Sequence, residues 1–211
     1  MTEYTRIKDY IDSLCRENRR TLEEIRKEAV RSEVPIIRRD SEQLLKVLLA
    51  IGKPEHILEI GTAVGYSAVI MAEYSPAVID TLEIGEKDYR LALGNIAKAG
   101  YEGRIFCHLC DAGEYLKNCT AQYDAVFLDA AKGQYINWLP LIKKVLKKGG
   151  MLIADNVLLD GKTIESRYAI DRRDRTEHAR MREYLEAVMK DEELVSSVVA
   201  VGDGMGVSYR K

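Results

Sequence analysis

The sequence predicts an α/β fold: a mainly parallel seven-stranded sheet closed by an antiparallel C-terminal hairpin, with extra helices at the N-terminus. Three observations carry that prediction. Five short apolar runs alternate with helical patterns between Ile57 and Asp155, the rhythm of a parallel sheet with helices on both faces. A glycine turn, Gly61-Thr62-Ala63-Val64-Gly65, follows the first run directly and opens a helix. Two terminal runs, Leu194–Val201 and Gly206–Tyr209, flank Gly202-Asp203-Gly204, a hairpin signal.

In chain order, residues Thr5 to Glu33 read as two amphipathic helices. Ile7, Ile11 and Leu14, and then Leu22, Ile25 and Ala29, recur at helical spacing, while Arg16, Arg19 and Arg20 read as a solvated face. Pro35 breaks the pattern, so Val34 to Asp40 is a loop. Ser41 is placed to cap a helix from Glu42 to Ile51, which stops at Gly52-Lys53-Pro54. The parallel strands are Ile57–Ile60, Val78–Leu82, Arg104–Cys110, Ala125–Asp129 and Met151–Asp155. Helices Ser67–Tyr74, Lys87–Ala99, Ala112–Leu116 and Tyr135–Leu146 fall between them, with Gly100 and Gly149-Gly150 as C-terminal stops. A polar loop, Asn156 to Asp174, then leads to a helix from Arg175 to Lys190.

At 211 residues and 46 % hydrophobic composition, residues 1–211 form one domain with a full core, residues 1–40 being a helical extension of it. A net charge of −2 argues against a general cationic coat for nucleic acid but leaves room for a local patch. The polar start Met1-Thr2-Glu3-Tyr4-Thr5-Arg6 is no signal peptide, and no apolar run is long enough to span a bilayer, so a cytoplasmic protein is expected. Cys107 and Cys110 fall within one predicted strand and point to opposite faces, which suits neither zinc nor a disulfide. With Cys15 and Cys119 they read as reduced, structural thiols.

The glycine turn sits where ligands meet the carboxyl edge of an open sheet. Ala63 occupies the middle position where a dinucleotide-binding turn needs glycine, and Gly65-Tyr66-Ser67 lacks the lysine of a phosphate-binding loop. Glu59, two residues before the turn, is an acid aimed at it and suits a cationic ligand. Glu83, at the end of the next strand, lies where ribose hydroxyls are held. A ligand with a ribose and a positive end but no phosphate is S-adenosylmethionine; a nucleotide or a merely tight turn are the alternatives.

The ends of the fourth and fifth strands carry Asp129 and Asp155-Asn156, with Lys132 three residues after Asp129. All should face the same edge as Gly61. Two carboxylates and an amide oxygen are hard ligands suited to Mg²⁺, Mn²⁺ or Ca²⁺ rather than zinc. The competing reading is an Asx pair capping a turn. Lys132 would be the base, its pKa lowered by a neighbouring cation; the plainer reading is a surface lysine. His56, His108 and His178 have no ligand-like spacing.

Leu58 to Ser67, Glu83, Leu128-Asp129-Ala130-Ala131-Lys132 and Asp155-Asn156 together resemble the metal-dependent O-methyltransferases that include catechol and caffeoyl-CoA methyltransferases. The resemblance runs from about Ile37 to the C-terminus and implies a Rossmann-like class I methyltransferase fold. It implies that S-adenosylmethionine lies along Ile37, Glu59, Gly61, Thr62, Gly65, Ser67, Glu83, Asp111, Ala112 and Asp129, with Glu83 on the ribose and Asp111 beside the adenine. It further implies that Asp129, Asp155 and Asn156 bind Mg²⁺ (or Mn²⁺ or Ca²⁺), that Lys132 is the catalytic base, and that the protein is a homodimer. Catechol enzymes place His-Trp where this chain has Ala130-Ala131.

The segments Asp155 to Gly161 and Arg172 to Arg182 also resemble the bacterial tRNA 5-hydroxyuridine methyltransferases. That resemblance implies tRNA as partner. The basic run Arg167, Arg172, Arg173, Arg175, Arg180 and Arg182 could hold phosphates of its anticodon loop, with Arg172, Arg173 and Arg175 as the candidate contacts. The alternative is an ordinary salt-bridged helix, since Asp171, Asp174, Glu177 and Glu183 are interleaved. The O5 hydroxyl and O4 carbonyl of 5-hydroxyuridine could chelate one metal as a catechol does. The expected protein is therefore an S-adenosylmethionine- and Mg²⁺-dependent O-methyltransferase acting on 5-hydroxyuridine in tRNA, with a small catechol-like acceptor as the alternative. Two other classes stay open, an NAD-dependent oxidoreductase and an idle cofactor-binding protein. Ala63 argues against the first, and the set Asp129, Lys132, Asp155 and Asn156 against the second.

Overall fold

Three helices precede the sheet in the computed structural model, which describes residues 3–211, so the polar start read above begins outside the described residues. Helix α1 (Glu3–Leu14) has the helical spacing expected of it, but Ile7, Ile11 and Leu14 are 52 %, 45 % and 63 % exposed. Spacing predicted the helix; the chain by itself leaves that apolar face uncovered. Helix α2 (Arg20–Arg31) does bury Leu22, Ile25 and Ala29. Arg19 is not part of a solvated face: it pairs with Glu73 and donates to the Ala99 carbonyl.

Helix α3 (Arg39–Gly52) starts before the expected Ser41 cap. Ser41 is fully buried in the first turn, and its hydroxyl has no partner. The chain from the C-terminal hairpin explains the shift. Asp40 accepts from the Gly202 backbone N–H at 2.7 Å, drawing that turn against the start of the helix.

Seven strands follow: β1 (His56–Ile60), β2 (Val78–Glu83), β3 (Ile105–Leu109), β4 (Tyr123–Leu128), β5 (Leu146–Ala154), β6 (Leu194–Val199) and β7 (Met205–Arg210). They form one sheet in the order β3-β2-β1-β4-β5-β7-β6. Pairs among β1 to β5 are parallel, and β7 runs antiparallel between β5 and β6. Alternate side chains build two cores. Ile57, Ile79, Phe127 and Ile153 pack with α2, α3, α4 (Tyr66–Tyr74) and α5 (Glu86–Ala99). Leu58, Val126, Leu128 and Leu152 pack on the other face with α7 (Tyr135–Val145) and α8 (Arg175–Lys190). Helix α6 (Ala112–Asn118) adds Leu116 to that second core.

Gly149-Gly150 does not stop α7. The helix ends at Val145, and β5 runs through both glycines. Register passes from Tyr123↔Leu146 to Ala125↔Met151, so β5 carries extra residues opposite β4. Gly149 has φ +83°, and a Cβ on Gly150 would lie 2.9 Å from the Asp124 carbonyl oxygen. The pair permits a bulge, which periodicity alone reads as a helix end. Strand β3 is shorter than expected, and Cys110 lies beyond it. All four cysteines are free.

Candidate active site

The chain leaves β1 towards α4 on one face and β4 towards α7 on the other, so the crevice at the carboxyl edge opens between these two neighbours. Gly61 is required there. Its φ is +103°, and a Cβ would stand 2.0 Å from the carbonyl oxygen of Asp129. Ala63 also adopts a left-handed conformation, at φ +45°, though it is not glycine. Its N–H donates to Glu83 Oε2 at 2.8 Å, while the N–H groups of Ile84 and Gly85 meet Oε1 at 3.0 and 2.8 Å. The Glu83 carboxylate is thus oriented by backbone before any ligand arrives.

Two cavities meet at this edge and share Gly61, Ala63, Asp129 and Ala130. The larger, about 660 Å³, has Glu83, Asp111, Ala112 and Trp138 in its wall. The smaller, about 290 Å³, is walled by Ile37, Thr62, Ser67, Lys132 and Asn156 among others. Asp111 caps α6 by accepting from the Glu114 N–H at 2.9 Å. Gly65 turns the chain into α4 at φ +78° and lines neither cavity.

Glu59 is not a wall residue. It has no exposed surface, and its two oxygens accept from Ser67 Oγ and Thr81 Oγ1, each at 2.5 Å. Burial raises its carboxyl to about 8. Glu59 pairs with Thr81 and so shares a sheet face with Glu83. It lies short of the strand end, enclosed by Ser67 of α4 and Thr81, whereas Glu83 is the last residue of β2. The acid expected to meet a cation instead ties β1 to α4 and β2.

Beyond β4, Lys132 opens a 3-10 turn (Lys132–Gln134) and donates to Asp129 Oδ1 at 2.6 Å. It also donates to the hydroxyl of Tyr135 at 3.0 Å, and that hydroxyl in turn donates to the Leu128 carbonyl at 3.0 Å. Tyr135 is fully buried. Sequence reading treated it only as a helix start; its position three residues after Lys132 was the available signal.

Asp155 is 1 % exposed. Its Oδ1 accepts from the Asn156 N–H at 2.9 Å, and its Oδ2 is buried without a partner. Burial first, and the charge of Asp129 second, raise its carboxyl to about 7. Asn156 holds φ +55°. The loop after it is strapped to the hairpin turn: Val157 N–H donates to the Gly204 carbonyl, Leu158 N–H to the Asp203 carbonyl, and Asp160 N–H to Asp203 Oδ1. Among the described residues no group of three or more His, Cys, Asp or Glu could hold a metal. A cation here would depend on the Asn156 amide as well as the two carboxylates. The orphaned Oδ2 and the mutual charge of Asp129 and Asp155 fit a hard divalent ion.

The basic segment divides. Arg172 is exposed, Arg173 lies 3.5 Å from the Asp174 carboxylate, and half-buried Arg175 is tied to the Ile170 carbonyl at 3.0 Å. Arg180 donates to the Gly133 carbonyl at 3.2 Å. Trp138, the largest side chain on the wall of the main cavity, was missed because helical periodicity does not distinguish a cleft from a core.

This architecture places the chain among α/β proteins that bind ligands at the carboxyl edge of the sheet. Residues 12–211 match the family model described as O-methyltransferase, and the chain belongs to that family. An Arabidopsis thaliana protein provisionally assigned as a caffeoyl-CoA O-methyltransferase is 29 % identical over 201 residues, 90 % of this chain and 85 % of its own. A Staphylococcus aureus structure, also provisionally assigned as a caffeoyl-CoA O-methyltransferase, matches with a TM-score of 0.90 at 29 % identity, covering 97 % of this chain and 99 % of that one. An O-methyltransferase from Bacillus cereus in complex with SAH matches in fold, with a TM-score of 0.85 at 23 % identity over 98 % of this chain and 97 % of that one. Among the described residues no helix is long and apolar enough to cross a membrane.

Proposed function

We propose that the protein transfers a methyl group from S-adenosylmethionine to one of two vicinal oxygens, assisted by a divalent cation, and that its acceptor is 5-hydroxyuridine in a tRNA anticodon loop. The observation that carries the reading is one continuous cleft, with Glu83 in one cavity, Lys132 and Asn156 in the other, and Asp129 in both. Family membership and the SAH bound by the Bacillus cereus relative support the donor.

S-adenosylmethionine would supply a methyl group already activated on a sulfonium. Asp129, Asp155 and Asn156 would hold the cation, whose charge favours the ionised form of an acceptor hydroxyl. The rest is done by the chain itself. Glu83, fixed by three backbone N–H groups, grips the ribose. Trp138 and Leu141 shield the nucleoside from water. Lys132 takes the acceptor proton at Nζ, which Asp129 and Tyr135 hold in place. Positioning supplies much of the rate in such a transfer.

A small catechol-like acceptor is the second reading, favoured by the caffeoyl-CoA names of the relatives. Calorimetry with SAH and with NAD tests the donor, and tight NAD binding would remove the methyltransferase reading. The acceptor is tested by incubating the protein with S-adenosylmethionine and either hydroxyuridine-containing tRNA or a catechol, followed by nucleoside mass spectrometry. Neutralising Arg172 and Arg173 together should raise KM for tRNA and leave KM for the catechol unchanged. An unchanged KM for tRNA would move the preference to the small molecule. We also propose a homodimer, supported by the exposed apolar row Ile7, Tyr10, Ile11 and Leu14 on α1; light scattering tests it.

A further inference from the structure

A third cavity, of about 440 Å³, lies against α8 and is lined by Ser166, Arg167, His178, Ala179 and Arg182. Its polar wall consists of two guanidiniums, a hydroxyl and an imidazole, with no carboxylate. Among the described residues neither Arg167 nor Arg182 is ion-paired, whereas Arg26, Arg38 and Arg39 each have a carboxylate partner. Arg182 is held by the Thr163 and Glu165 carbonyls, both at 3.4 Å from one terminal nitrogen, which leaves the rest of the fork available. His178 is 3 % exposed. Its Nε2 meets the Glu165 carbonyl at 3.1 Å and must carry the hydrogen, so Nδ1 of the neutral ring is a bare acceptor. That Nδ1 is buried with no partner.

We infer that Arg167, His178 and Arg182 form a phosphate subsite. Guanidinium forks match the oxygens of a tetrahedral oxyanion. Nδ1, the unpartnered acceptor of the wall, can accept from a hydrogen phosphate. Arg180, two residues from both His178 and Arg182, reaches the carbonyl of Gly133, the residue after Lys132. Two positions along α8 are roughly 200° around it, so His178 and Arg182 face away from the turn that Arg180 reaches, with the helix between the subsite and Lys132. A polynucleotide, with a phosphate on every nucleotide, can extend around the helix where a small acceptor cannot. Tyr168, 90 % exposed and next to Arg167, adds a ring on which a neighbouring base can stack. Assigning the phosphate to the methyl acceptor rests on the reaction proposed above; the subsite itself does not.

The test titrates the full chain with inorganic phosphate and follows the His178 ring by NMR. Its signals should shift, and the double variant Arg167→Gln/Arg182→Gln should bind phosphate at least about tenfold more weakly, the equivalent of one lost charge-assisted contact. Unmoved ring signals, or equal binding by parent and variant, would overturn the subsite; the ring signals need no variant and so survive a folding failure. Competition then separates the sources. Displacement of phosphate by a short single-stranded RNA identifies a polynucleotide, and displacement by adenosine 3′,5′-bisphosphate alone identifies a nucleotide thioester. Displacement by neither would overturn the link to the acceptor. SAH binding, measured in parallel, should be the same in parent and variant, and its absence from the parent would count against the donor reading alone.

Discussion

Glu59 and Tyr135 show how single residues serve the site without standing on its surface. Burial raises the Glu59 carboxyl from 4.5 to about 8, so the folded chain holds a proton there that the unfolded chain releases near 4.5. Its contribution is complete below about pH 4.5 and is lost as pH rises through about 8, by up to a few kcal/mol. Glu59→Gln cannot ionise, so its melting temperature should fall less between pH 6 and pH 9 than the parent's. Parallel curves for parent and variant would place the titration elsewhere. Tyr135→Phe tests the positioning of Lys132. It removes the partner of Nζ and the donor to Leu128, and should cost about 1 kcal/mol of stability. The expected kinetic effect is a drop in kcat of about tenfold with SAH affinity unchanged, because the variant leaves the cofactor cavities intact. An equal loss in SAH affinity would indicate general damage to the cleft.

At the scale of elements, the β1–α4 turn contains two glycines that periodicity cannot rank. Gly61 faces the Asp129 carbonyl so closely that an added Cβ has nowhere to go, while the same atom on Gly65 would sit 3.4 Å from Ala92. Gly61→Ala should therefore cost more than about 3 kcal/mol in denaturant unfolding. Gly65→Ala should cost nearer 1–2 kcal/mol, mainly from its positive φ. The hairpin turn carries the same lesson. Gly202-Asp203-Gly204 reads as a reversal between strands, yet it also straps the Asn156 loop, with Leu158 occupying the space beside Gly204 where a side chain would be.

For the whole molecule, the cation site is a prediction about coupling between distant parts of the chain. Mn²⁺ should raise the melting temperature of the parent by mass action on the folded state. Asp129→Asn and Asp155→Asn should both abolish that rise, and Asp155→Asn should do so with SAH binding retained, since Asp155 lines neither cavity whereas Asp129 lines both. A full Mn²⁺ response in both variants would exclude these carboxylates as ligands. Asp155 stands beside Asp129 only because β5 adds to the sheet next to β4, more than twenty residues after it in the chain.

What the sequence determined by itself was the order of elements, the carboxyl edge where a ligand would lie, and most of the residues brought there. Those features follow from local patterns: alternating apolar runs, glycines at a strand exit, and acids at strand ends. The tertiary structure decided the rest. It closed Glu59 off from the cleft, because α4 packs over that face of β1 and Ser67 and Thr81 take both carboxylate oxygens. It left the apolar row of α1 exposed, since spacing specifies a face but not what covers it. It moved the start of α3 through a contact with Gly202, and it made Tyr135 the partner of Lys132. It also divided one run of arginines into exposed, tethered and cavity-lining members, a distinction that depends on which backbone carbonyls the fold brings within reach.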